Sequence, residues 1–151
     1  MTVAGVSAAA GVTKGALFHH FANKQAMVDA MVDGLMQELD VALDALIAAD
    51  PVPRGSFTRA YVHAELTMDD DTTRIWSALI SSLTAETQLA AQWHAWLTQR
   101  LCRHADTDAG ELLEIVRLAA DGAWFTSLSA GASTRALDLL AIRGRLIAMT
   151  F

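Results

Sequence analysis

The sequence predicts an all-α protein, and three observations carry that reading. Proline occurs only at positions 51 and 53, so long helices can form over the rest of the 151 residues. Apolar residues recur at spacings of three and four along most of the chain, the period of a helix that buries one side. No stretch shows the strict alternation or the β-branched clustering of a strand. With 53% hydrophobic and 19% charged residues, the chain can bury a sizeable core. No uncharged apolar run reaches the roughly eighteen residues that a membrane helix needs, so no membrane partner is expected.

The first elements are short. Val3, Val6, Ser7 and Ala10 are small or apolar at helical spacing. Gly11 follows where a left-handed backbone would bend the chain, a conformation glycine takes without a steric penalty. Val12 can fill the angle, and Thr13 is a good N-cap for a second helix. Leu17 and Phe21 share one face of that helix, which leaves Thr13, Lys14, Ala16, His19 and His20 on others. Two helices joined by a tight turn are the layout of a helix-turn-helix, whose second helix enters a DNA major groove. Charge agrees with it. The net charge is −6, yet residues 1–28 hold two lysines, two histidines and no acid. A locally basic segment on an acidic body suits DNA contact through one small surface.

The run from Ala10 to Phe21, with Asn23 and Lys24, resembles the helix-turn-helix signature of the tetracycline-repressor-like (TetR) transcriptional regulators. The resemblance implies an all-helical homodimer, with an N-terminal DNA-binding segment followed by a helical ligand-binding and dimerisation bundle. It divides the chain at about residue 45, into 1–45 and 46–151. The family has a further helix before this motif, whereas this sequence opens on the second. The expectation is thus a partial DNA-binding domain lacking the family's first helix. The resemblance implies DNA contacts from Thr13, Lys14, Ala16, Phe18, His19 and Lys24. Lys14 can reach a guanine edge or a phosphate, and the Ala16 methyl can meet a thymine methyl. Phe18 stands where the family usually has Tyr, so the hydroxyl contact to phosphate is missing. Lys24 heads a helix whose N-terminus also suits a phosphate.

Asn23 is the expected N-cap of a long helix to about Ala49, with Met27, Val28, Met31, Val32, Leu35, Leu39, Leu43 and Leu46 as its apolar stripe. In the family this is the connector between DNA-binding and ligand domains. Residues 50–55 form a stop and turn. Ser56 is expected to cap the next helix. Asp69, Asp70 and Asp71 read as a solvated loop and not as a metal site, with Asp71 or Thr72 capping a helix over about 73–83. In that helix Ile75, Trp76, Leu79, Ile80 and Leu83 face inward. A helix over 86–104 carries Leu89, Trp93, Trp96, Leu97 and Leu101. Residues 105–110 form a polar connection in which Asp106 or Asp108 is the cap. Helices over about 109–130 and 133–150 complete the chain. Their wide apolar faces exceed what one small domain covers, which suggests a subunit interface. In the family the last two helices of each subunit form a four-helix dimer bundle.

The middle helices of a TetR-like protein enclose a cavity for a small effector. The residues assigned to it are Phe57, Tyr61, His63, Met68, Trp76, Trp93, Trp96, Trp124 and Phe125. As a set they favour a small apolar or aromatic effector, with few charges inside. Cys102, the one cysteine, excludes an internal disulfide and fits a reducing cytoplasm. Its apolar helix marks it as a buried structural thiol. No phosphate loop, nucleophile elbow or metal-spaced His/Cys cluster is present, so neither enzyme activity, a metal nor a cofactor is expected. The function implied is a ligand-responsive regulator, a repressor released from a palindromic operator. The alternative is a helical ligand-binding or interaction module that has lost DNA binding with the first helix.

Overall fold

A computed structural model describes residue 11 and residues 13–68, 70–83, 87–129 and 137–151. The described residues form eight α-helices: α1 (Lys14–His20), α2 (Lys24–Ala49), α3 (Ser56–Leu66), α4 (Asp70–Leu83), α5 (Thr87–Arg103), α6 (Ala105–Asp108), α7 (Glu111–Ser129) and α8 (Leu139–Ala148). The all-α class read from the sequence is the one observed. The chain separates into two compact units, residues 1–40 and 41–151, and α2 contributes to both.

In the first unit the expected helix starts are in place. Gly11 has φ +65°, the left-handed turn that glycine permits. The Ala16 N–H donates to Thr13 Oγ1 at 3.1 Å, which caps α1. The Ala26 N–H donates to Asn23 Oδ1 at 2.8 Å, which caps α2. Met27, Val28, Val32 and Met36 are buried along one side of α2. The helix expected before Gly11 lies outside the described residues.

The second unit is built around α3. Most of its residues are buried, because it packs against α6, α7 and α8. Phe57, Ala60, Tyr61, Val62 and Leu66 meet a core shared with Leu113, Val116, Ala120 and Trp124 of α7 and Leu146 of α8. Helices α4 and α5 pack on each other, and α5 reaches α6.

Its helix starts correct several sequence expectations. Ser56 does not cap α3: it is already the first helical residue, and Gly55 occupies the cap position with φ +75°. The cap comes from 50 residues away. Asp108 accepts the N–H groups of Thr58 at 2.7 Å and Phe57 at 3.3 Å. A buried helix start must satisfy its free N–H groups, and a carboxylate also complements the positive end of the helix dipole. Asp108 therefore serves α3 and not the helix that follows it. Residues 105–108 form a helical turn where a connection was expected. Helix α4 starts at Asp70, earlier than expected, and places Asp71 in its first turn beside Arg74, with which it pairs. Asp69 lies outside the described residues. Helix α8 starts at Leu139, with Asp138 Oδ1 accepting the Ala141 N–H at 2.9 Å, while residues 133–136 lie outside the described set. Ile75 and Leu112 are exposed, contrary to the inward placement read for Ile75. The Leu79, Ile80, Leu83 and Leu89 side chains are outside those described. Cys102 is exposed, which corrects the buried thiol. It lies two residues, over half a turn, from the buried Arg100, on the other side of α5.

Arg59 closes the turn that the prolines announce. It is 6% exposed and donates from Nε to Asp50 Oδ2 at 2.7 Å. Its Nη2 reaches the Val52 carbonyl at 2.5 Å. Its Nη1 reaches the Arg54 carbonyl at 2.9 Å and Thr150 Oγ1 at 3.1 Å. The guanidinium also lies 4.5 Å from the Phe151 ring centroid. One side chain thus holds the end of α2, the 50–55 turn and the last residues together.

Candidate functional site

Most of the residues expected to contact DNA are on the surface of α1 and at the start of α2. Thr13, Ala16, Phe18, His19 and His20 are all exposed, and so is Lys24 at the start of α2. The Lys14 side chain is outside those described. The Thr13 hydroxyl is committed to its cap, which fixes where α1 begins. The His19 and His20 rings meet edge to face, with centroids 5.7 Å apart. Phe18 is 48% exposed, an apolar ring left at the surface of α1.

The aromatic residues assigned to a ligand cavity divide into separate groups. Trp76 of α4 and Trp93 of α5 meet edge to face at 5.7 Å, and Trp93 lies 4.8 Å from Trp96. Phe57 stacks flat on His104 at 5.0 Å and lies 6.0 Å from Tyr61. Burial holds His104 below the usual histidine range, and its buried Nε2 has no hydrogen-bond partner among the described residues. Trp124 is buried, His63 bonds Thr67, Met68 is half-buried and Phe125 is exposed.

A cleft of about 360 Å³ opens between α3, α5, α6 and α7, and of those nine residues Tyr61 lines it. Leu97 and Leu101 of α5 and Leu118 of α7 supply apolar wall, and Glu114, Arg117 and Asp121 supply charge. The charged residues sit at spacings of three and four on α7, a polar stripe along an apolar helix. That stripe is legible in the sequence, and it was the signal to follow. Periodicity of apolar residues alone draws attention to the opposite face.

The polar groups pair across α3 and α7. The Tyr61 hydroxyl donates to Asp121 Oδ1 at 2.7 Å, and Arg117 Nη1 donates to Thr58 Oγ1 at 2.6 Å. Glu65 lies one turn beyond Tyr61 and is 7% exposed. Burial, and then the charge of Asp121, push its carboxyl up to about 8. Burial also raises Asp121, against the opposing effects of the Tyr61 hydrogen bond and Arg117. The Tyr61 hydroxyl is held well above its ordinary range, first by burial and then by Glu65 and Asp121. Glu65 therefore keeps a proton near neutral pH that an exposed carboxylate would have lost.

Residues 55–151 match the family model described as tetracyclin repressor-like, C-terminal domain. Residues 1–31 match that of bacterial regulatory proteins, tetR family. Comparison with curated proteins and with solved structures gave no match. No described helix is long and apolar enough to cross a membrane. The first model spans well over half of the chain and coincides with the α3–α8 bundle, and the second takes in α1. The chain therefore belongs to the tetR family of bacterial regulatory proteins, as an all-α DNA-binding transcriptional regulator.

Proposed function

We propose that this chain is a ligand-responsive repressor that leaves a palindromic operator when a small effector occupies the second unit. The observation that carries the reading is the helix α2, unbroken over Lys24–Ala49. It starts at the lysine beside the recognition helix and ends in the unit that holds the cleft. In this reading the DNA contacts come from Thr13, Lys14, Ala16, Phe18, His19 and Lys24. Two copies associate through α7 and α8 and set two α1 helices about one DNA turn, roughly 34–36 Å, apart. An effector that binds one arrangement of the bundle better than the other shifts the population, and the separation with it.

Support for the dimer comes from the surface of the last helices. Leu112, Ile115, Leu118 and Phe125 of α7 and Leu140 of α8 are all exposed, a large apolar area for one chain to leave in water. The effector reading from sequence, a small and mostly apolar molecule, draws on the aromatic set from Phe57 to Phe125. The leucine side of the cleft supports the apolar part of it.

The test is selection of operators from random duplexes, followed by anisotropy titration across salt concentrations with and without the bound effector. A palindromic consensus, a steep salt dependence and weaker binding with effector are expected. Unchanged affinity in the presence of bound effector sinks the switch. Failure to select any DNA leaves the interaction-module alternative standing.

A further inference from the structure

Leu118 stands between two surfaces of α7. On a helix, a residue touches those three and four positions away. On one side of Leu118 these are Glu114 and Asp121, which line the cleft with it. On the other side they are Ile115 and Gly122, both exposed, and the exposed Leu112 and Phe125 continue that side along the helix. Leu118 is 62% exposed and belongs to both surfaces. The cleft itself has a floor and a rim. Tyr61 and Asp108 are buried at the floor, whereas Ala105, Glu114 and Leu118 are exposed at the rim. An apolar ligand lying against Leu97, Leu101 and Leu118 would keep part of its surface in water.

The stripe formed by Leu112, Ile115, Leu118, Gly122 and Phe125 carries no charge and runs about 20 Å along α7. A partner of opposite charge has nothing there to hold. A second copy brings the same stripe, and apolar surface meets apolar surface across a two-fold axis. Two facing stripes remove roughly 1,000 Å² from water, about the size at which specific interfaces begin.

We propose that the cleft is a composite site: a second copy packs along this stripe, covers Leu118 and closes the rim, so that each copy binds its ligand tightly only within the dimer. The proposal rests on the cleft being the effector site, and it makes effector binding and subunit association one linked equilibrium. The ligand that gains from closure has an apolar part against the three leucines, because covering apolar surface is what the second copy adds. Linkage then fixes a relation between two measurements. If closure tightens each cleft by some factor, saturating ligand must favour the dimer by the square of that factor, since the dimer holds two clefts.

The test is titration of the whole chain with N-phenyl-1-naphthylamine, an uncharged aromatic probe that fluoresces in apolar surroundings. It is run at protein concentrations below and above the dimer midpoint found by sedimentation equilibrium. The dimer is expected to bind the probe at least about fivefold more tightly than the monomer, and saturating probe should strengthen association at least about 25-fold. Gly122 does not line the cleft, and a Cβ there meets no atom of its own chain within 4 Å. G122L therefore changes the stripe alone, and it should weaken association and lower probe affinity to the monomer value. L101W places an indole in the cleft, and it should abolish probe binding and leave association unchanged. Equal probe affinity in monomer and dimer overturns the proposal. So does a lack of probe binding or of association, association unaltered in G122L, or probe binding that survives L101W. A probe that dissociates the dimer lies on the stripe itself and also overturns it. No DNA enters this experiment. An effector that binds without releasing the operator would sink the switch and leave the composite site intact. A monomer that binds as well as the dimer would sink the composite site and leave the switch.

Discussion

Arg59 shows how much a single side chain decides in this fold. Its guanidinium serves Asp50, two carbonyls and Thr150, and hydrogen bonding to it holds the Asp50 carboxyl below its usual range. Replacing it with leucine takes donors from a half-buried carboxylate, two carbonyls of the exposed turn and the buried Thr150 hydroxyl, so R59L should cost about 1–3 kcal/mol in urea unfolding. A loss near zero would show that water or a rearranged turn takes over its role. Gly55 is constrained by the same cluster. Its φ is +75°, and an added Cβ would stand 2.9 Å from Arg59 Nη1 and 3.3 Å from the Thr150 carbonyl. The Arg59 tip can shift, but the backbone carbonyl cannot easily do so. G55A should therefore cost about 1–2 kcal/mol from the left-handed backbone, plus the crowding, measured by the same unfolding midpoint. Neither role was legible in the sequence. Pro51, Pro53 and Gly55 announced a turn, but only the fold brings Thr150 within reach of residue 59. For the same reason Asp108 was taken as a cap for its own neighbourhood, when its partners are 50 residues back.

At the scale of elements the sequence is more readable, because caps and periodicity are local. Thr13 and Asn23 cap the helices they were assigned, and α2 ends at the expected Ala49. Boundaries moved where the deciding contact is distant, as at α3, or where acids pair within the first turn, as at α4. The candidate cleft was least legible. Its aromatic candidates reflect burial, and burial is mostly core: the tryptophans of α4 and α5 pack on one another. Helix α7 has two readings along its length, with Leu113, Val116, Ala120 and Trp124 inward and Leu112, Ile115, Leu118 and Phe125 outward. Gly122 lies on the exposed side, and a Cβ there would meet no atom within 4 Å. A glycine inside a helix costs about 1 kcal/mol relative to a good helix former, so it needs a reason, and close approach by a second copy supplies one. G122L should therefore leave the isolated chain as stable or more stable. It should weaken self-association at least about tenfold in sedimentation equilibrium, as a side chain is forced into the contact. Unaltered association would place the dimer contact on another face.

Stability of the whole molecule against pH joins the buried groups of the second unit in one measurable curve. Glu65 is an acid whose folded value, about 8, stands above its ordinary 4.5. Between those values the folded chain holds a proton that the unfolded chain has lost. Stability therefore falls as pH rises, by up to about 1.4 kcal/mol per pH unit, and levels off above about pH 8. Asp121 is also raised and acts in the same direction. His104 opposes both at the acid side. Burial lowers it from 6.5, so the stability it contributes is present above that value and is lost as pH falls. Above about pH 6.5 His104 no longer opposes the fall, and the Glu65 slope continues up to about pH 8. E65Q carries the shape of the protonated acid with nothing to ionise. Its unfolding free energy should match that of the original chain below about pH 4.5, then exceed it by a gap that widens to a few kcal/mol by about pH 8 and stays constant beyond. Thermal melts at matched ionic strength across that range read the gap directly. Near pH 5.2, where the net charge of the chain passes through zero, protein concentration should be kept low to avoid precipitation. A gap independent of pH would mean that Glu65 loses its proton over the same pH range in the folded and the unfolded chain.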